Sequence, residues 1–221
     1  MTISWFGQSC FRIEAKEGSI LIDPFSKDIG LKPPKIKDDL VLVTHEHRDH
    51  NNIEGAGPEV FVIRTPGEYE KNGISVLGIM SYHDKQEGKE RGSNTIYIIK
   101  AEDIITCHLG DLGHELNEKQ VQDIGDVDIL MIPVGGNYTI NYKEAVEVIS
   151  QIEPKIVIPM HYMVPGHAPS SIEGPEKFVK ELGLTPEKVS AKGGSASGGD
   201  KYKITKKNLP AEEMKLVMFN I

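Results

Sequence analysis

Several things are scarce in this chain of 221 residues, and each absence removes a class of function. Two cysteines, Cys10 and Cys107, are too few for a disulfide framework, and they read as ordinary reduced thiols of a cytosolic protein. No run of eighteen or more apolar residues occurs, so no membrane-spanning helix is expected. The opening residues Met1-Thr2-Ile3-Ser4-Trp5-Phe6 lack a basic stretch followed by an apolar one, so no secretory signal is expected. The net charge is −8 and no block of basic residues stands out. Binding to duplex nucleic acid or to an anionic membrane surface is therefore not expected. No internal repeat and no domain-separating linker is evident, and no feature sets an oligomeric state.

What remains is an ordinary globular composition, with 38% hydrophobic residues and 22 glycines. Apolar runs predict strands at residues 2–6, 10–14, 19–22, 40–43, 59–63, 74–80, 94–100, 103–106, 127–132, 155–158 and 215–221. Residues 66–70, which include Pro66 and Gly67, read as a turn, and 26–38, 84–92 and 193–199 read as loops. Residues 51–57 read as a helical turn. Asn117 with Gln120 three residues on reads as a capping box for a helix to residue 124. Residues 143–152 carry Ala145, Val148, Ile149 and Ile152 on one stripe, an amphipathic helix. Residues 175–182 form a third. Strands and helices interleave, so the expectation is one α/β domain over residues 1–221.

The most informative stretch is Thr44-His45-Glu46-His47-Arg48-Asp49-His50, which directly follows the apolar run Leu40-Val41-Leu42-Val43. His45 and His47 are two apart, so in extended chain they point to one side. Asp49 and His50 follow as the chain turns. Imidazole and carboxylate are the ligands of zinc and its first-row neighbours. Three imidazoles and a carboxylate exceed what one tetrahedral ion takes from a single segment, which suggests two ions. Asp23, His83, Asp111 and His161 also stand at predicted strand ends. Equivalent strand ends in a layered fold converge on one edge, so a shared site is expected.

The ordered set H-x-H-x-D-H, His83, Gly110-Asp111 and His161 resembles the metallo-β-lactamase fold superfamily of metal-dependent hydrolases. Further matches are Leu21-Ile22-Asp23-Pro24-Phe25, Pro66-Gly67-Glu68-Tyr69-Glu70, residues 108–114, Pro133-Val134-Gly135-Gly136 and Ile158-Pro159-Met160-His161-Tyr162. These resemble its broad group of small zinc-dependent hydrolases, which includes lactonase-like members. The resemblance implies a four-layer αβ/βα sandwich with the metal site at one edge between the sheets. It implies two divalent ions, zinc first, with manganese, iron or nickel as alternatives. One would be held by His45, His47 and His83, the other by Asp49, His50 and His161, with Asp111 bridging. It also implies that Asp23 holds a ligating histidine by its free ring nitrogen. His108 competes with His83 for the first ion, but lies three residues before Asp111 and so should face away from it.

The chemistry implied is hydrolysis by a hydroxide shared between the ions, acting on a small ester, lactone or phosphodiester. Asp49 would orient the hydroxide and move its proton, and His114 would assist the oxyanion or leaving group, with Tyr138 and His167 as other donors. Arg91 reads as a solvated residue of its charged loop. The position of Asp111 holds Cys in true β-lactamases, so antibiotic hydrolysis is not expected. Flavodiiron oxygen reductases carry Glu where His47 stands, and neither their flavin domain nor the long basic arm of tRNA-processing nucleases is read in these residues, so neither activity is expected. The expected partner is a small-molecule substrate. The alternatives are a metal-binding protein of this fold without turnover, and a metal-dependent nuclease.

Overall fold

The computed structural model describes residues 1–167, 171–189 and 200–220. The loop expected at 193–199 lies outside the described residues, as does Ile221 of the last expected strand.

The chain forms two sheets. The first uses β1 (Thr2–Trp5), β2 (Phe11–Glu14), β3 (Ser19–Ile22), β4 (Leu40–Leu42), β5 (Phe61–Ile63) and, from far along the chain, β13 (Lys201–Lys203). Their order is β13-β1-β2-β3-β4-β5. The second sheet uses β6 (Gly67–Lys71), β7 (Ile74–Tyr82), β8 (Ser93–Ala101), β9 (Ile104–His108), β10 (Ile129–Pro133), β11 (Ile156–Met160), β12 (Glu187–Val189) and β14 (Lys215–Phe219). Its order is β12-β14-β11-β10-β9-β8-β7-β6. Between β9 and β12 come α1 (Glu118–Ile124), α2 (Tyr142–Ile152) and α3 (Glu176–Leu182). Helix α1 packs on β7 and α2, and α2 packs on α3. This is the two-sheet α/β sandwich that the resemblance implies. No described helix is long and apolar enough to cross a membrane.

Local chemistry accounts for the helices. Asn117 accepts from the Gln120 N–H while the Gln120 side chain accepts from the Asn117 N–H, and Asn141 and Glu144 repeat the device at α2. These reciprocal bonds satisfy N–H groups that a first helical turn otherwise leaves bare. Ala145, Val148, Ile149 and Ile152 are all buried on the inner face of α2.

The core lies where the inner faces of the sheets meet. Phe11 of the first sheet meets Phe219 of the second edge-to-face, with ring centroids 6.3 Å apart. The buried Tyr97 hydroxyl of β8 donates to the Val43 carbonyl beyond β4, at 2.9 Å. Each fully buried Ile, Leu or Phe side chain contributes about 1.5–3 kcal/mol, so the interlayer is what fixes the separation of the sheets. Cys10 and Cys107 are buried, free and held in the thiol form by burial.

Two expectations need correction, and two strands were not foreseen. Residues 67–71 are not a turn but the edge strand β6, paired with β7 from Gly67↔Gly78 to Lys71↔Ile74. Its pattern is polar because both its faces meet solvent in part. Residues 51–57 make turns without a helix. The short strands β12 and β13 carry no apolar run to announce them.

Topology makes the site possible. Strands β3 and β4 are parallel, and β9, β10 and β11 are parallel. Strand β7 is antiparallel to β8, which is antiparallel to β9, so β7 runs with β9. The carboxyl ends of β3, β4, β7, β9 and β11 thus deliver Asp23, His45 to His50, His83, Asp111 and His161.

Candidate metal centre

The seven side chains expected as ligands come together at these strand ends. His45, His47 and His83 offer nitrogens within 4.8 Å of one another, and so do the donor atoms of Asp49, His50 and His161. Asp111 lies between the two groups. Its Oδ2 is 3.1 Å from His161 Nε2, 3.3 Å from His50 Nε2, 3.3 Å from His83 Nε2 and 4.0 Å from His45 Nε2. Two ligands of one tetrahedral ion, each about 2.0–2.2 Å from it, sit roughly 3.3–3.5 Å apart. The spacing therefore fits ions between the donors.

Hydrogen bonding makes the same point. His45 Nε2 and His50 Nε2 are buried and have no hydrogen-bond partner. A buried polar atom left unpaired costs about 1–3 kcal/mol, so this arrangement suits a bound cation better than an empty pocket. The opposite ring nitrogens are occupied. His50 Nδ1 donates to Asp23 Oδ2 at 2.9 Å. The Thr44 hydroxyl donates to the same oxygen at 2.7 Å and lies 3.0 Å from His45 Nδ1. One carboxylate, wholly buried, therefore sets the ring tautomer of two histidines, directly and through Thr44.

Charge follows from these contacts. Burial lowers the His45 pKa to about 2, aided by the neighbouring His50, so His45 is a neutral donor. Burial also lowers that of His47, with help from His83. Burial opposes the charged form of His50, but Asp111 and Asp23 override it and raise its pKa. Burial opposes the charged forms of Asp49 and Asp111 too, yet His50, and for Asp111 chiefly His161, hold both carboxylates ionised.

The backbone is bent to make this site. Asp23, His161 and Gln8 have φ of 47°, 51° and 51°, a region that costs a non-glycine residue energy and clusters at functional sites. Gly110, at φ 58°, precedes Asp111, and a Cβ there would lie 2.3 Å from Asn94 Oδ1 and 2.9 Å from Thr44 Cβ. That Asn94 oxygen accepts the Asp111 N–H at 3.0 Å. A side chain at Gly110 would therefore displace the bond that aims Asp111.

Two candidates fall elsewhere. His108 donates from Nε2 to the Ser9 carbonyl at 2.9 Å and accepts from the Gly110 N–H at Nδ1 at 3.1 Å. Both its nitrogens are used, so it has no lone pair for an ion. The expectation for His114 is corrected. Its Nε2 accepts the Tyr82 N–H at 3.2 Å and its Nδ1 donates to the Glu115 carbonyl at 2.7 Å, outside the cavity.

A cavity of about 510 Å³ opens over the centre, and Tyr138 and His167 line it. So does Arg91, which is not a solvated loop residue but lies over the Tyr138 ring, 5.3 Å from its centroid. Gln8 and Ser9 were not foreseen. Gln8 Nε2 lies 2.9 Å from Asp49 Oδ2 and 2.8 Å from His161 Nε2, and the Ser9 hydroxyl donates to Asp111 Oδ1 at 3.0 Å. The one local signal is the polar pair after Gly7, between two short strands.

Comparison with known proteins identifies the family. The family model described as the beta-lactamase superfamily domain matches residues 2–161. A metal-dependent hydrolase of Staphylothermus marinus is 32% identical over 221 residues, covering 85% of this chain and 93% of its own. A solved structure from Thermotoga maritima, described as a candidate zinc-dependent hydrolase of the metallo-β-lactamase superfamily, is 34% identical. It covers 98% of this chain and 97% of its own, with a TM-score of 0.77. An isothiocyanate hydrolase from Delia radicum gut bacteria shares the fold at a TM-score of 0.61 and 14% identity, covering 83% of this chain and 93% of its own.

Proposed function

The chain belongs to the beta-lactamase superfamily, and from that premise we propose that it is a dinuclear metal-dependent hydrolase of a small ester, lactone or phosphodiester. The observation that carries this reading is the position of Asp111 Oδ2, 3.1–4.0 Å from histidines of both donor groups. A carboxylate oxygen between two sets of imidazoles is what a pair of cations sharing one ligand requires. The all-nitrogen-and-oxygen set favours zinc, and admits manganese, iron or nickel. When bound, two such ions lower the pKa of a shared water and neutralise charge developing on the scissile group.

The chain's own groups do the rest. Asp49 is ionised and part-exposed at the cavity floor, where it takes the proton of the attacking water. Gln8 Nε2, bonded to Asp49 Oδ2, fixes the rotamer of that carboxylate. Asp23 keeps His50 aimed forward by its Nδ1–H, and the Ser9 hydroxyl steadies Asp111. Tyr138 and His167 stand in the cavity wall as donors to the leaving group.

The test is a panel of p-nitrophenyl esters, lactones and bis(p-nitrophenyl) phosphate on zinc-loaded and chelator-treated protein. Turnover that disappears on chelation and returns on reloading is expected. A protein that binds both ions and turns over nothing in the panel would instead be a metal-binding protein of this fold.

A further inference from the structure

We propose that Arg91, laid on Tyr138, is an anion-binding subsite in the wall of the metal cavity, and that the substrate presents a carboxylate or phosphate oxyanion to it. The class of substrate rests on the hydrolase reading above, whereas the subsite itself does not.

The sequence contains four arginines: Arg12, Arg48, Arg64 and Arg91. Two are paired with carboxylates. Arg12 makes a bidentate contact with Asp38 at 2.8 and 2.9 Å, and Arg64 pairs with Glu46. The other two, Arg48 and Arg91, make no ion pair among the described residues, and both line the cavity that holds the metal donors. Arginine is the side chain whose planar fork matches carboxylate and phosphate. The acidic residues lining this cavity are Asp28, at its exposed rim, and Asp49 and Asp111, which belong to the donor groups.

Arg91 is also held in place before any ligand arrives. The buried Asp84 organises its whole loop. Asp84 Oδ1 accepts the N–H groups of Gln86 and Gly88 at 2.7 and 3.0 Å, and Oδ2 accepts those of Glu90 and Arg91 at 3.0 and 2.8 Å. The loop closes on the site through the His83 N–H, which donates to the Gly92 carbonyl at 3.0 Å. The guanidinium then rests 5.3 Å above the ring centroid of Tyr138, a residue that is 40% exposed. A ring face attracts a cation without using its N–H donors, so the donors stay free for an acceptor. A cation fixed beside a divalent centre is repelled by it. That arrangement becomes favourable when an anion lies between them.

The experiment uses two substrates of equal length on zinc-loaded protein, p-nitrophenyl pentanoate and the p-nitrophenyl monoester of glutaric acid. Binding of glutarate and of methyl phosphate is measured in parallel by calorimetry. Arg91→Met should lower the anionic-to-neutral ratio of kcat/KM by about 10- to 100-fold, through KM, with metal content unchanged. Arg91→Lys should recover part of the ratio, and Tyr138→Leu should lower it if Arg91→Met does not fold. Whichever free anion loses more affinity in Arg91→Met identifies the group recognised. An unchanged ratio together with unchanged glutarate and methyl phosphate affinity would overturn the subsite. Absence of metal-dependent turnover of either ester would instead sink the hydrolase reading, and the two binding measurements would still decide the subsite.

Discussion

The two sheets contribute to the centre in different ways. His45 and His50, from the segment after β4, are braced from behind by side chains: Asp23 takes His50 Nδ1–H and reaches His45 through Thr44. His83 and His161, after β7 and β11, have no such brace behind them: their Nδ1 atoms are buried without a hydrogen-bond partner among the described residues, and the Gln8 side chain meets His161 at Nε2 instead. Main-chain bonds hold them instead, His83 N–H to Gly92 and His161 N–H to Gln8, each at 3.0 Å. The first-sheet half should therefore keep its geometry without ions. The second-sheet half should depend on its backbone and on the ions themselves. A centre built this way would have one preorganised wall and one held chiefly through its backbone.

The largest effect is expected at Asp49, which faces both halves. Asp49→Asn keeps the shape and one ligand oxygen but loses the charge and the proton acceptor. Turnover on the best substrate of the panel should fall by about 10²–10⁴-fold, with metal content checked alongside. Near-native turnover with both ions retained would move the proton to another group.

Next comes the brace. Asp23→Asn should weaken metal affinity by about 10- to 100-fold, the usual cost of losing the partner of a ligating histidine. Competition with a chromophoric chelator reads this directly. An unaltered affinity would show that the first-sheet half is no better held than the second, and the contrast would be lost.

Metal removal sharpens the contrast further. Because ions bind the folded state alone, chelation should lower Tm. Hydrogen exchange should then quicken by several-fold more at residues 83–92 and 161–164 than at residues 44–50. Equal loosening in all three segments would count against a preorganised wall. The smallest effect belongs to His114, whose nitrogens are both engaged by main chain outside the cavity. His114→Ala should change kcat by less than about twofold at matched metal content, and a loss near that of Asp49→Asn would return it to the site.

This contrast also explains what could be read in the sequence. The first-sheet donors occupy six consecutive positions after an apolar run, so the strand places them by itself. The capping boxes of α1 and α2 are equally local and were legible as spacings. Asp23 was legible through the resemblance of Leu21-Ile22-Asp23-Pro24-Phe25. Gln8 was not, since its partner His161 lies 153 residues away and nothing local marks such a contact. Strand alternation already set His108 apart from Asp111, but the bonds to Ser9 and Gly110 that occupy both its nitrogens depend on how the sheets face each other. Arg91 was misjudged for the same reason, because Tyr138 reaches it from beyond β10. Strand β6 was missed because a short edge strand exposed on alternate residues carries the polar composition of a turn.

The number of ions is the central claim, and it can be measured directly. Protein stripped with a chelator, reloaded with zinc and desalted is analysed for metal per chain, alongside His83→Ala and His161→Ala. Close to two ions per chain are expected in the native sequence and close to one in each variant, the remaining ion being held by the other donor group. One ion or fewer in the native protein would contradict a dinuclear centre bridged by Asp111.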